Sequence, residues 1–132
     1  MKLTRSAGYA VAILLQIQKD DSGAPVTAAR ITKNCKFPPR FLYRVLRRLV
    51  DAKLLVGTSG PGGGYMLARR RKPITMFDIV EAVESAPEAS MLEPVCKHHK
   101  RAVARINRVS KQSAAKFSAA LRKLTLDQLS RL

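Results

Sequence analysis

Apolar and polar positions follow a helical period over most of this chain. From Thr4, a good N-cap, the residues Ala7, Ala10, Val11, Leu14, Leu15 and Ile17 form a stripe that predicts a helix to about Lys19. "DDSGAP" reads as a turn. Thr27 caps a predicted short helix, "AARITKN", with Ala28, Ala29 and Ile31 inward. "CKF" is then a tight connection to a helix whose first turn suits Pro38 and Pro39. In that helix, "PPRFLYRVLRRLVDAK", Phe41, Leu42, Val45, Leu46 and Leu49 gather on one side, and Arg40, Tyr43, Arg44 and Arg47 on the other.

The period then changes. "LLVGTS" and "GYMLA" read as two short strands, with "GPGG" as the turn of a hairpin between them. "ITMFDIVEAVES" restores a helix, capped by Thr75, with Ile74, Phe77, Ile79, Val80 and Val83 apolar. "APEASMLEP" breaks the pattern, and a long helix is predicted from Val95 to Leu124. Val103, Ile106, Val109, Phe117, Leu121 and Leu124 run along one stripe of it, and Thr125 caps a last short segment, "TLDQLSRL". Residues 1–85 therefore read as one small domain, 86–94 as a loop, and 95–132 as a helix with a C-terminal segment. The small domain is complete before the long helix begins. The apolar stripe then has little of its own chain to pack against, which points to a second copy through Val103, Ile106, Val109, Phe117 and Leu121.

Charge narrows the class of partner. The 132 residues include 25 Lys and Arg against 9 acids, a formal net charge of +16, with 46% hydrophobic residues. Such a chain folds, and its charge implies a polyanionic partner, nucleic acid before an anionic membrane surface. An ordinary solvated helix face mixes signs for i,i+4 pairing, whereas the outer face of "PPRFLYRVLRRLVDAK" has no acid until Asp51. Short helix, tight turn and basic amphipathic helix are the order of a helix-turn-helix, and the hairpin after it is a wing. The expected fold is mainly α with a small β-hairpin: a winged helix-turn-helix domain plus a long C-terminal dimerisation helix.

The wing sequence "GTSGPGGGYMLARRR" packs five glycines and a proline into eight residues. Glycine at a hairpin tip permits φ > 0 and lets backbone N–H groups approach phosphate oxygens. A nucleotide-binding P-loop would need Lys and Ser or Thr after the glycines, where this chain has Tyr65 and Met66. A dinucleotide fingerprint would need a helix and a later acid, which "YMLARRRKP" does not supply. Double-stranded DNA is the expected partner. The candidate contacts are Thr27, Pro39, Arg40, Tyr43, Arg44, Arg47, Ser59, Gly60, Gly62, Gly63, Gly64 and Tyr65.

"KLTRSAGYAV", "FLYRVLRRLVDAKLLVGTSGPGGGYMLAR", "ITMFDIVEAVE" and "TLDQL" together resemble the Rrf2 family of bacterial winged helix-turn-helix transcription regulators, over nearly the whole chain. The resemblance is most specific at "GPGGGYMLAR" joined to "ITMFDIVEAVE". It implies a homodimer on a palindromic promoter site, a repressor before an activator, and in many members a sensor of iron–sulfur status, nitric oxide or cysteine supply, which makes residues 86–94 a sensor-type loop. Two departures matter. The family often places an arginine, suited to the minor groove, just before the wing glycines; this chain has Ser59, which implies weaker minor-groove reading, with Arg69–Arg71 available to compensate from the strand end. Cluster-binding members resemble one another in three closely spaced cysteines before the long helix, where this chain has Cys96 alone.

Cys96, His98 and His99 offer at most three donors and would diverge on a helix starting at Val95, so no cofactor and no metal site are expected. Cys96, beside Lys97, Lys100 and Arg101, is the candidate redox thiol; Cys35 in the helix-turn-helix connection reads as a small buried hydrophobe. No carboxylate pair and no nucleophile with a base partner suggests an enzyme. No apolar run approaches the roughly 20 residues of a membrane helix, and the N-terminus has no small-residue cleavage site, so a cytoplasmic protein with no membrane partner is expected. A small-molecule or redox signal remains open. Two other readings are a general nucleic-acid-binding or RNA-associated basic protein, and a regulator controlled by a partner protein docked on the loop before the long helix.

Overall fold

The computed structural model describes residues 2–132, with Asn34 described by its backbone alone. The order is α1 (Arg5–Lys19), α2 (Ala28–Asn34), α3 (Pro39–Asp51), β1 (Leu55–Thr58), β2 (Gly64–Leu67), α4 (Met76–Val83), a 3-10 turn (Lys97–His99), α5 (Lys100–Lys123) and α6 (Leu126–Ser130). A two-stranded antiparallel hairpin sits among helices, as the mainly α winged architecture requires.

The core follows the apolar stripes. Ala7, Ala10, Ile13, Leu14 and Ile17 of α1 are buried together with Leu42, Val45, Leu46 and Leu49 of α3 and Met76, Ile79, Val80 and Val83 of α4. Ile13, absent from the expected stripe, is fully buried, while Val11 and Leu15 are only half-buried at its margin. In α2, Ile31 is buried but Ala29 is exposed, since a two-turn helix has one narrow inward face. Tyr9 meets Phe37 and Phe41 edge-on, with centroids 5.2 and 4.9 Å away, which fastens the α2–α3 turn to α1.

Caps close the helix ends. Thr4 accepts from the Ser6 N–H, and Glu84, at the end of α4, accepts from the Thr4 and Ala7 backbone N–H groups at 2.9 and 3.3 Å. A carboxylate thus sits on the positive end of α1. Thr75 and Asp78 form a capping box on α4, and Thr125 and Gln128 form one on α6. Arg48 donates to the Val83 carbonyl and ties the last turn of α3 to that of α4.

The long helix differs from expectation at its start. Residues 86–96 are irregular, Val95 is 93% exposed, and the α-helix begins at Lys100. Its far end returns to the first domain: the Met76 N–H donates to the Leu124 carbonyl at 2.7 Å, and the Leu126 N–H to that of Ile74 at 2.8 Å. Leu121 and Leu126 are buried in the common core and Phe117 packs against it. The segment from residue 95 is therefore not separate along its whole length. Of the residues expected to face a second copy, Leu121 is buried by its own chain and Phe117 is half-buried against it.

Candidate nucleic-acid interface

The recognition-type helix opens with Pro38 as N-cap and Pro39 at its first position, with no side-chain cap and no acid in the first turn. A proline there removes a donor that would have lacked a partner. Because Leu42, Val45, Leu46 and Leu49 are drawn into the core, Arg40, Tyr43, Arg44 and Arg47 are left exposed on the opposite face. Tyr43 is 57% exposed, unusual for an aromatic ring that could pack. Thr27 caps α2: its hydroxyl accepts from the Arg30 N–H at 3.2 Å and keeps its own O–H to donate.

The wing pairs Leu55 with Leu67, Val56 with Met66, Gly57 with Tyr65 and Thr58 with Gly64. Val26 adds a third short strand contact, its N–H donating to the Tyr65 carbonyl at 2.9 Å and its carbonyl accepting from the Tyr65 N–H at 2.8 Å. Tyr43 and Arg47 of α3 and Thr58, Ser59, Gly64 and Tyr65 of the wing line one open cleft of ≈ 440 Å³. The structure thus joins the outer face of α3 and the wing into one surface. Thr58 and Gly57, which the sequence reading passed over, belong to it.

The glycines divide into two kinds. Gly60 and Gly62 hold left-handed φ values of +85° and +76°, with open space where a Cβ would stand. This is the conformation and clearance that a close backbone approach requires. Gly63 is a correction: its φ is not left-handed, and a Cβ there would stand 2.3 Å from the Thr58 carbonyl oxygen. Gly64 is hemmed in by Val26, whose carbonyl oxygen would lie 2.6 Å from a Cβ. Gly63 and Gly64 are needed to close and seat the hairpin, whatever lies beyond it.

Arg69–Arg71 lie apart from Ser59 along the hairpin. They leave the hairpin at its base, where the Ala68 N–H donates to the Leu54 carbonyl, and Ser59 lies at the opposite end.

Few of the cations are neutralised within the chain. Among the described residues the ion pairs are Arg30–Asp20 at 2.6 Å and Arg70–Asp78 at 3.5 Å. Bonds from the Ser22 hydroxyl and N–H hold the Asp20 carboxyl below the usual carboxylate range, helped by the Arg30 guanidinium.

The cysteines are apart. Cys35 is half-buried and accepts from Gln16 Nε2 at 3.1 Å, whereas Cys96 is exposed with its Sγ 3.3 Å from His99 Nδ1. Cys96 and His99 meet because the segment is a 3-10 turn rather than the α-helix expected from Val95. Among the described residues no group of three His, Cys, Asp or Glu converges as a metal site would need, so the donor set does not fit an iron–sulfur cluster. No described helix is long and apolar enough to cross a membrane.

The chain is similar in sequence and fold to known proteins. The chain is 29% identical over 90 residues to the HTH-type transcriptional regulator IscR of Escherichia coli O1:K1 / APEC, a match covering 68% of this chain and 56% of that protein. The same 56% applies to IscR of Cronobacter sakazakii and of Escherichia coli O139:H28, so the chain spans little more than half the length of these relatives. Among solved structures, CymR, the global cysteine regulator of B. subtilis, superposes with a TM-score of 0.70 at 22% identity, covering 99% of this chain and 97% of that one. IscR of T. potens superposes with a TM-score of 0.67 at 20% identity, over 99% and 87%. At those identities the likeness establishes the fold. The family described as "Rrf2: Iron-dependent Transcriptional regulator" matches residues 3–131, and the chain belongs to the Rrf2 family of winged helix-turn-helix transcriptional regulators.

Proposed function

We propose that this protein is a sequence-specific DNA-binding regulator, a repressor, acting as a homodimer on a palindromic promoter site. The observation that carries the reading is the single surface on which the outer face of α3, without an acid before Asp51, meets a wing with an open, left-handed glycine tip. In this reading Arg40, Tyr43, Arg44 and Arg47 face base edges and phosphates of the major groove, as a second helix of this type does. Ser59, Gly60 and Gly62 bring backbone to an adjacent phosphate strand. With Ser59 at the tip, minor-groove reading through a long cationic side chain is not part of the scheme.

Dimerisation is assigned to the first half of α5, where Ile106 and Val109 are 50% and 56% exposed on one apolar face. Two half-sites are then read about 34–36 Å apart, one turn of the duplex. Any redox response is assigned to Cys96, next to the start of α5, through a sulfenic acid or mixed disulfide. DNA binding in this scheme is intrinsic to the metal-free protein.

Recovery of genomic fragments with the purified protein tests the reading. An inverted repeat shared by the fragments, retained against excess nonspecific DNA, is the expected result. Fragments with no common sequence, all released by nonspecific competitor, would replace it with general nucleic-acid binding. For the thiol, operator affinity with and without mild peroxide should respond in wild type and not in Cys96→Ser.

A further inference from the structure

A second concentration of positive charge lies away from the α3–wing surface. At the base of the hairpin, Lys53, Arg69, Arg70, Arg71 and Lys72 line a cleft of ≈ 530 Å³. Arg70 reaches Asp78 at 3.5 Å, and the other cations have no ion pair among the described residues and are exposed. The cleft lies at the far end of both elements that carry the DNA surface. Along α3, Ala52 lies about 18 Å from Arg40 and about 8 Å from Arg47, at about 1.5 Å per residue. Along the wing, the Leu55–Leu67 pair at the base is about 10 Å from the Thr58–Gly64 pair at the tip.

The backbone at this site is unusual as well. α3 ends in a Schellman arrangement, with the Lys53 N–H donating to the Val50 carbonyl and the Leu54 N–H to that of Leu49, both at 2.9 Å. The left-handed residue of such an end is ordinarily glycine, yet here it is Lys53 at φ 60°. A strained cation is kept where glycine would relieve the strain, and that favours a use for its charge.

We propose that this cleft docks an extended, carboxylate-rich peptide segment of a protein partner while the opposite end of the domain holds DNA. Guanidinium forks match carboxylates, and a cleft of this size admits side chains from a peptide. A duplex on the outer face of α3 and the wing tip approaches from the other end of both elements, whereas a thin extended peptide can enter the cleft alone. The placement of DNA rests on the proposed function; the cleft and its charge do not.

A fluorescent hexaglutamate peptide titrated into the protein, free and preloaded with a mixed-sequence duplex of about two turns, tests the proposal. The peptide should bind the preloaded complex without displacing the duplex. Lys53→Glu with Arg69→Glu and Arg71→Glu should weaken it about tenfold or more. Reversal of the exposed Lys2, Arg5 and Lys111 to Glu should change it less than about twofold. Lys53→Gly should raise the unfolding midpoint yet weaken the peptide, a pairing that a purely structural lysine would not produce. Displacement of the duplex, equal losses in both triple variants, or unchanged peptide binding in Lys53→Gly would overturn the proposal. So would a Lys53/Arg69/Arg71 variant that loses affinity for a duplex of about four turns but not for one of about two, since the cleft would then serve flanking DNA. If the wild type binds no duplex at all, the DNA reading fails, while titration of the free protein still decides the cleft.

Discussion

The two halves of α5 share one helical period and one acid-free sequence, yet their apolar residues meet opposite fates. In the second half Ala114, Ser118 and Leu121 are buried, and the Arg122 guanidinium lies 3.8 Å over the Phe77 ring. In the first half Ile106 and Val109 are half-exposed, and Ala102, Arg105 and Ser110 complete an open apolar face with them. The loop before the helix does not cover that face. It is strapped beside it, with Asn107 bonding the Leu92 N–H and carbonyl at 2.8 and 2.9 Å and the Ser110 hydroxyl donating to the Ser90 carbonyl at 2.6 Å. Periodicity reports which face of a helix is apolar; it does not report whose atoms cover that face.

The largest expected effects break this comparison directly. Leu121→Ala removes buried methyl groups from the core and should cost about 2–5 kcal/mol of folding stability, read by chemical denaturation. A loss within about 0.5 kcal/mol would place Leu121 outside the core. Ile106→Asp should leave a folded chain, because the side chain is half-exposed in the monomer. Across a dimer interface the same charge would be buried without a partner, at several kcal/mol. Helical circular dichroism retained with a sedimentation shift from dimer to monomer is expected. A wild-type monomer at micromolar concentration would remove the dimer from the proposed function.

Much of the domain was legible because its determinants are local. Thr4, Thr27, Thr75 and Thr125 cap the four helices assigned to them, and the α3 stripe holds residue for residue at Leu42, Val45, Leu46 and Leu49, with Phe41 half-buried at its edge. The errors fall where the deciding contact is distant in sequence or where a turn folds the chain back on itself. Leu121 and Leu126 join the α1–α4 core only because the C-terminal segment bridges Thr75 to Thr125. Gly63 is crowded by Thr58 through the turn, which no count of glycines could show. Arg69–Arg71 follow the wing glycines in sequence but lie at the hairpin's base, since an antiparallel strand carries the chain back from its tip.

Smaller effects sharpen the contrast between surface and scaffold. Arg40→Ala and Arg44→Ala should each cost about 1–3 kcal/mol against the preferred site and relax its sequence, with folding unchanged because both are exposed. Equal affinity and preference in both variants would move base reading elsewhere. At the tip, Gly60→Asn tests backbone approach separately from hairpin closure, since asparagine tolerates the left-handed region and the space around Gly60 is open. It should keep the fold and weaken binding to all DNA alike. Gly63→Val should lose binding together with hairpin stability, because its Cβ meets the Thr58 carbonyl. Unchanged DNA affinity in Gly60→Asn would confine the tip glycines to turn formation.

The smallest effect concerns Asp20, whose charge the chain settles internally. Its side chain is 8% exposed, accepts from the Ser22 N–H at 3.1 Å and from the Ser22 hydroxyl, and meets Arg30 Nη2 at 2.6 Å. The carboxyl is held below its ordinary value by the Ser22 bonds first and Arg30 after them. A carboxylate depressed in the folded state contributes stability that is fully present above the unfolded value, about 4, and is lost as pH falls through the folded one. Asp20→Asn should therefore be slightly less stable than wild type near neutral pH, with the gap closing as the pH drops below about 4. Denaturation midpoints of both proteins across that range provide the measurement. A gap that widens on acidification would mean that the Asp20 carboxylate is strained by its surroundings rather than held by them.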